Sequence, residues 1–238
     1  MGEKFIMKSI KLFSLALLSV FATHNVSAQG LASYEVTVTN ATNNVTFTPI
    51  FAVTHRDTAS ALFEIGQPAR VELEDLAEGG SPAALEAAYD AERRTVVEIA
   101  TAAGTPADGP FTNAGQSATF DIRAHRGADY ISMAAMLLPT NDSFMALNAV
   151  RLPSNIGESI TALALGYDAG TELNDEQCLN IPGPQCDGIP DGEGTNPLRT
   201  DRIDAVHISS GITGVGELSP AAYDWRNPVA FVTITRTR

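Results

Sequence analysis

Over much of this chain apolar and polar residues alternate one for one, and that period admits few folds. In Ser33–Asn40, Tyr34, Val36 and Val38 alternate with Glu35, Thr37 and Thr39. Successive side chains of a strand point to opposite faces, so such a segment buries one face and wets the other. Asn40-Ala41-Thr42-Asn43-Asn44 then supplies turn chemistry, and Val45–His55 reads as the second strand of a hairpin, with Pro49 marking a bulge or edge. Strand character returns at Thr95–Ala102, Ser117–Ala124, Asp129–Leu138, Phe144–Leu152, Ser159–Tyr167 and Pro228–Thr237. Between residues 60 and 90 the period changes. Val71, Leu73 and Leu76, then Ala84, Leu85, Ala88 and Tyr89, recur at helical spacing, with Gly79-Gly80 closing one segment and Ser81-Pro82 opening the next. The expectation is an all-β protein, an antiparallel β-sandwich with two short helices between strands.

The amino end is read apart from this pattern. Lys4, Lys8 and Lys11 precede an apolar stretch, Leu12–Phe21, and small residues at Val26-Ser27-Ala28 fit a cleavage site. Residues 1–28 are therefore expected to be a signal peptide, and 29–238 a single domain that is secreted or periplasmic. No later apolar run is long enough to span a bilayer, which needs about 20 residues.

Charge narrows the chemistry. The chain carries 15 basic against 28 acidic residues, a formal net charge of −13. Beyond Lys11 every basic residue is arginine, so the mature chain has no lysine for a Schiff base or a phosphate loop. The negative field repels nucleic acid and anionic lipid and attracts cations. It also serves simply to keep an exported protein dispersed. Cys178 and Cys186 are the only cysteines. In an oxidising compartment they are expected to form one disulfide. A soft-metal site needs two further ligands, and His55, His125 and His207 lie scattered without ligand spacing.

Catalytic patterns are few. Gly115-Gln116-Ser117-Ala118-Thr119 lacks the closing glycine of a nucleophile elbow, and Gly192-Glu193-Gly194 follows a loop rather than a strand. A hydrolase with a carboxylate pair stays open only because acids are so many. Calcium is better supported, because a hard cation takes six to eight oxygens and loops at strand ends can gather them. Tyr167-Asp168-Ala169-Gly170-Thr171-Glu172 places two carboxylates four apart with a glycine free to turn the chain between them. Asp142, in Pro139-Thr140-Asn141-Asp142-Ser143-Phe144, lies between two apolar strands. Neither is an EF-hand: counted from Asp168, the sixth and twelfth positions are Leu173 and Leu179. The plainer alternative for each acid is an exposed or turn-capping carboxylate. The long segment Asp168–Thr200, rich in glycine, proline and acids, has the length of a functional loop.

These same stretches resemble the spondin N-terminal domain family, the secreted module of F-spondin and mindin with bacterial relatives. Ser132–Phe144 is similar to the family's central strand and Asp-bearing loop, and Tyr167–Glu172 to its Trp-Asp-Ala-Gly-Thr-Asp motif. Tyr34–Thr54 resembles its first hairpin, and Trp225–Ala230 with Val232–Arg236 its closing strand. The resemblance implies a C2-like sandwich that binds Ca2+ and serves extracellular binding or adhesion without catalysis. Its metal carboxylates fall on Asp142, Asp168 and Glu172, the last an aspartate in animal members. The implied partner is an extracellular protein or glycan, of identity unknown. The rival expectations are an acidic sandwich with no bound metal and a secreted hydrolase.

Overall fold

The computed structural model describes residues 30–104, 109–183 and 205–238. The expected signal peptide, Cys186 and most of the long acidic loop lie outside the described residues. The elements run β1 (Ala32–Asn40), β2 (Thr46–Phe47), β3 (Ile50–His55), α1 (Val71–Gly79), α2 (Ala83–Ala91), β4 (Val96–Ala102) and β5 (Ser117–Ala124). They continue as β6 (Tyr130–Leu138), β7 (Ser143–Arg151), β8 (Ser159–Asp168), β9 (His207–Ile208), α3 (Pro220–Tyr223) and β10 (Ala230–Arg236). The fold is mostly β, and two short helices stand between strands where the spacing predicts them.

The strands form one antiparallel ten-stranded sheet in the order β4-β3-β6-β7-β8-β10-β1-β5, with β2 added on β6 and β9 on β8. The two-layer expectation therefore takes the form of one sheet wrapped on itself into a nearly closed barrel. Its ends meet: Arg123 of β5 pairs with Glu98 of β4 at 2.8 Å, and the Thr54 hydroxyl of β3 donates to the Arg123 carbonyl at 2.6 Å. The expected first hairpin does not form. β1 pairs with β10 and β5, whereas β3 pairs with β4 and β6. Asn40 diverts the chain: its side-chain carbonyl accepts from the Thr42 N–H at 3.0 Å, while its amide donates to the carbonyls of Val45 (2.8 Å) and Thr112 (2.9 Å). The turn chemistry is satisfied without bringing two consecutive strands side by side.

Two cores explain the patterning. Val36 and Val38 of β1, Ala118 and Ile122 of β5, and Val232 and Ile234 of β10 fill the interior of the wrap, while Glu35 and Thr119 face outward. On the far side, α1 and α2 lay Leu73, Leu76, Leu85 and Tyr89 over Phe51, Ala134, Phe144 and Ala146. β6 is thus covered on both faces, which is why Tyr130–Leu138 reads as a nearly continuous apolar run. Full burial of each large side chain contributes about 1.5–3 kcal/mol. α1 stops at Gly80, whose φ of 70° and whose place against Thr48 both demand glycine: a Cβ there would stand 2.6 Å from the Thr48 methyl. That contact fixes the last turn of α1 beside the end of β6. No free cysteine occurs among the described residues.

Candidate metal centre

The site is built where β6 turns into β7. Thr140 closes this turn, its hydroxyl donating to the Leu137 carbonyl at 2.6 Å and accepting from the Ser143 N–H at 3.1 Å. Asp142, the last residue of the turn before β7, is fully buried. β7 and β8 pair in a register that sets Ser143 opposite Asp168, and the Ala169 N–H donates to the Asp142 carbonyl at 3.2 Å. Gly170 then turns the chain with φ at 75°, the role its position between two acids predicts. The turn aims two successive backbone N–H groups at Asp142 Oδ2, from Thr171 at 2.8 Å and Glu172 at 3.0 Å, with the Thr171 hydroxyl at 3.3 Å. Asn141 staples the same loops further along. Its side-chain amide donates to Asp175 Oδ1 at 3.1 Å, and its carbonyl accepts from the Glu176 N–H at 3.2 Å.

Glu172 is the outlier. It is 1 % exposed, yet neither carboxylate oxygen has a hydrogen-bond partner. Burial, then the negative charges of Glu78, Asp142, Asp175 and Glu74, push its pKa up to about 9. Glu78, near the end of α1, is also raised, first by burial and then by Glu74, Asp142 and Asp75, while the Thr171 hydroxyl pulls the other way. Buried carboxylates ordinarily find donors or a counter-charge. Here the strongest charged neighbours are all negative. The donor set, oxygen throughout, is that of a hard cation.

The three predicted residues are therefore not equivalent. Asp142 and Glu172 come together. Asp168 adjoins them along the backbone, but its Oδ1 accepts from the Gly170 N–H at 2.8 Å and its Oδ2 from the Asn174 amide at 2.5 Å. His207 Nδ1 stands 3.7 Å from Asp168 Oδ1. Among the described residues, no three histidine, cysteine, aspartate or glutamate side chains stand at metal-ligand spacing, so closure on an ion requires side-chain rotation. On the apolar side Tyr167 packs against Phe144 and Phe63, with ring centroids at 5.6 and 4.7 Å. A raised glutamate beside a second carboxylate is also what a glycosidase uses. Glu172, however, is only 1 % exposed, unlike an acid that must meet a glycosidic oxygen in an open cleft.

Two residues escape a reading based on strand-end loops. Glu78 comes from a helix, and the signal for it is local: Glu74 and Glu78 stand four apart with no basic residue in the last turn of α1. Glu176 is buried nearby, with a left-handed φ of 53° that nothing in its sequence neighbourhood announces.

A Spondin_N family profile matches residues 34–175, which span β1 to β8, the Asp142 turn and the loop through Glu172. The chain belongs to the Spondin_N family. No curated protein matches it in sequence. Spondin_N domains are extracellular and in general serve adhesion rather than catalysis. No helix among the described residues of this Spondin_N protein is long and apolar enough to cross a membrane.

Proposed function

We propose that this protein is an exported calcium-binding domain acting as an extracellular binding or adhesion module. Asp142, Asp168 and Glu172 are the carboxylates of one cation site, completed by carbonyls and water, on a wrapped two-faced sheet of C2-like kind. Its partner is an extracellular protein or glycan. The observation that carries this is Glu172, a buried carboxylate with two unpartnered oxygens among other acids. A divalent ion supplies the missing positive charge there and holds the Asp142 turn and the Thr171–Asp175 loop as one rigid end of the sheet. Extracellular calcium modules bind at about 10⁻⁴–10⁻³ M. At about 100 times the dissociation constant the ion adds roughly 2.7 kcal/mol of stability.

The test is a calcium titration by calorimetry on the mature chain, paired with thermal melts in chelator and in excess calcium. Heat of binding and a higher melting temperature with calcium are expected. An absence of heat together with superimposable melts discards the site.

A further inference from the structure

We propose that Glu78, in the last turn of α1, is a further carboxylate ligand of the same cation, so that ion binding clamps the helical layer onto the strand-end loops. The proposal rests on the cation reading and deepens it.

Glu78 is in the wrong place for an ordinary surface acid. The last turn of a helix presents unpaired carbonyls and a negative dipole end, which disfavour a carboxylate and favour a base. α1 has no basic residue there, and Glu74 one turn earlier adds a like charge at the spacing where such pairs repel. A glutamate with three side-chain torsions and water nearby would swing outward. Glu78 instead holds Oε1 buried, with no hydrogen-bond partner.

Its direction is set by packing. α1 lies on β6 and β7, the strands joined by the Asp142 turn, and its end is pinned where Gly80 meets Thr48. Thr171 stands between the two acids: its N–H and hydroxyl bind Asp142 Oδ2, and its hydroxyl also faces Glu78. Glu78 is the charged group that acts most strongly on Glu172. A half-buried carboxylate from the helix and a fully buried one from the loop, each with an orphaned oxygen, thus lie close to a third acid, Asp142. Calcium takes six to eight oxygens, so a fourth carboxylate is readily accommodated, and its long side chain gives the helix the reach to supply it.

The experiment compares Glu78→Gln with Glu74→Gln in the mature chain, each titrated with calcium chloride and followed by hydrogen exchange of the α1 amides. Glu78→Gln is expected to weaken calcium about tenfold or more, and Glu74→Gln, which removes the same charge one turn away, much less. Calcium is expected to slow exchange at Leu76–Gly80 in the parent and to leave it unchanged in Glu78→Gln. Glu78→Ala removes the carboxylate without adding an amide and is expected to give the same loss. Equal affinities for the parent and Glu78→Gln, or equal losses for the two glutamine variants, overturn the role of Glu78 while leaving the cation site standing. A parent that binds no calcium overturns both.

Discussion

Glu172 and Glu176 are the same residue type four positions apart, and both are buried, at 1 % and 3 % exposure. Their surroundings are opposite. Glu176 reaches into the segment beyond β9, where Oε1 accepts from the Thr213 N–H at 2.6 Å and hydroxyl at 2.8 Å, and Oε2 from the Gly214 N–H at 2.7 Å. Its carbonyl accepts from the Glu217 N–H at 2.9 Å, and Glu217 in turn accepts from the Cys178 N–H at 2.8 Å. Glu172 has acids for neighbours and no donor. A buried carboxylate is therefore not in itself the mark of an ion site. What separates the two is whether the chain provides the donors that water gave up. Where it does, the acid is a structural clamp; where it does not, the charge must be met from outside or carried as a proton.

The comparison is tested most severely by one substitution made twice. Glu176→Gln turns one acceptor oxygen into a donor facing backbone N–H groups, and is expected to cost about 3 kcal/mol whether or not calcium is present. In a chain of this length that lowers the melting temperature by roughly 6–12 °C. Glu172→Gln in chelator near pH 7 is expected to stay within about 0.5 kcal/mol of the parent, because an acid with a pKa of about 9 already holds its proton there. Its effect is on the ion: the calcium gain of about 2.7 kcal/mol is expected to vanish. Thermal melts of both variants with and without calcium read all four numbers. A loss in chelator as large for Glu172→Gln as for Glu176→Gln would erase the distinction.

Asp168 stands between these extremes. Both its oxygens are engaged within its own loop, so Asp168→Asn sets an amide against the Asn174 amide and is expected to cost about 1 kcal/mol in chelator. Only part of the calcium gain is expected to go with it, less than in Glu172→Gln. Complete loss of the gain without any cost in chelator would mean that the Asp168 carboxylate leaves Asn174 and serves the ion first.

The sequence makes the strands of this fold easy to see and their order hard. Burial alternates along β1 and β5 as their residues do, since each has one face on the core. It cannot alternate along β6, which is roofed by α1 on its second face, yet the apolar run still reads as a strand. Pairing is another matter. Nothing in Asn40–Asn44 tells that β3 lies across the barrel from β1, because a side chain that satisfies its own turn is silent about which edge the chain reaches next. β9 and α3, of two and four residues, are too short to carry a period at all. For the site, the pairing of Asp142 with the Asp168–Glu172 turn was legible because both sit where strands end. Glu78 was not, because its partners are supplied by the packing of α1, and Glu176 looks in sequence like one acid among many.

His55 extends the comparison to a buried base. Ser132 Oγ accepts from the Ala149 N–H at 2.9 Å and meets His55 Nε2 at 2.8 Å, while His55 Nδ1 meets the Arg56 carbonyl at 2.8 Å. A carbonyl only accepts, so Nδ1 carries the proton and Nε2 takes the Ser132 hydroxyl: the neutral ring is fully partnered. Burial, opposed in part by that carbonyl and by Glu92, lowers the pKa below 6.5. The native chain thus binds this proton less readily than the unfolded chain. Stability tied to His55 is complete above pH 6.5 and falls as the pH drops from there through the lowered pKa, by at most about 1.4 kcal/mol per pH unit. Denaturant unfolding of the parent and of His55→Gln at pH 7.5, 6.5 and 5.5 isolates this share, since all other titrations are common to the two. The difference in stability is expected to shrink by no more than about 0.4 kcal/mol between pH 7.5 and 6.5 and more steeply by pH 5.5, because only the parent weakens through His55. A difference that stays level down to pH 5.5 would mean that the protein accommodates the charged ring as readily as water does, and that a complete set of partners for the neutral form is no barrier to its protonation.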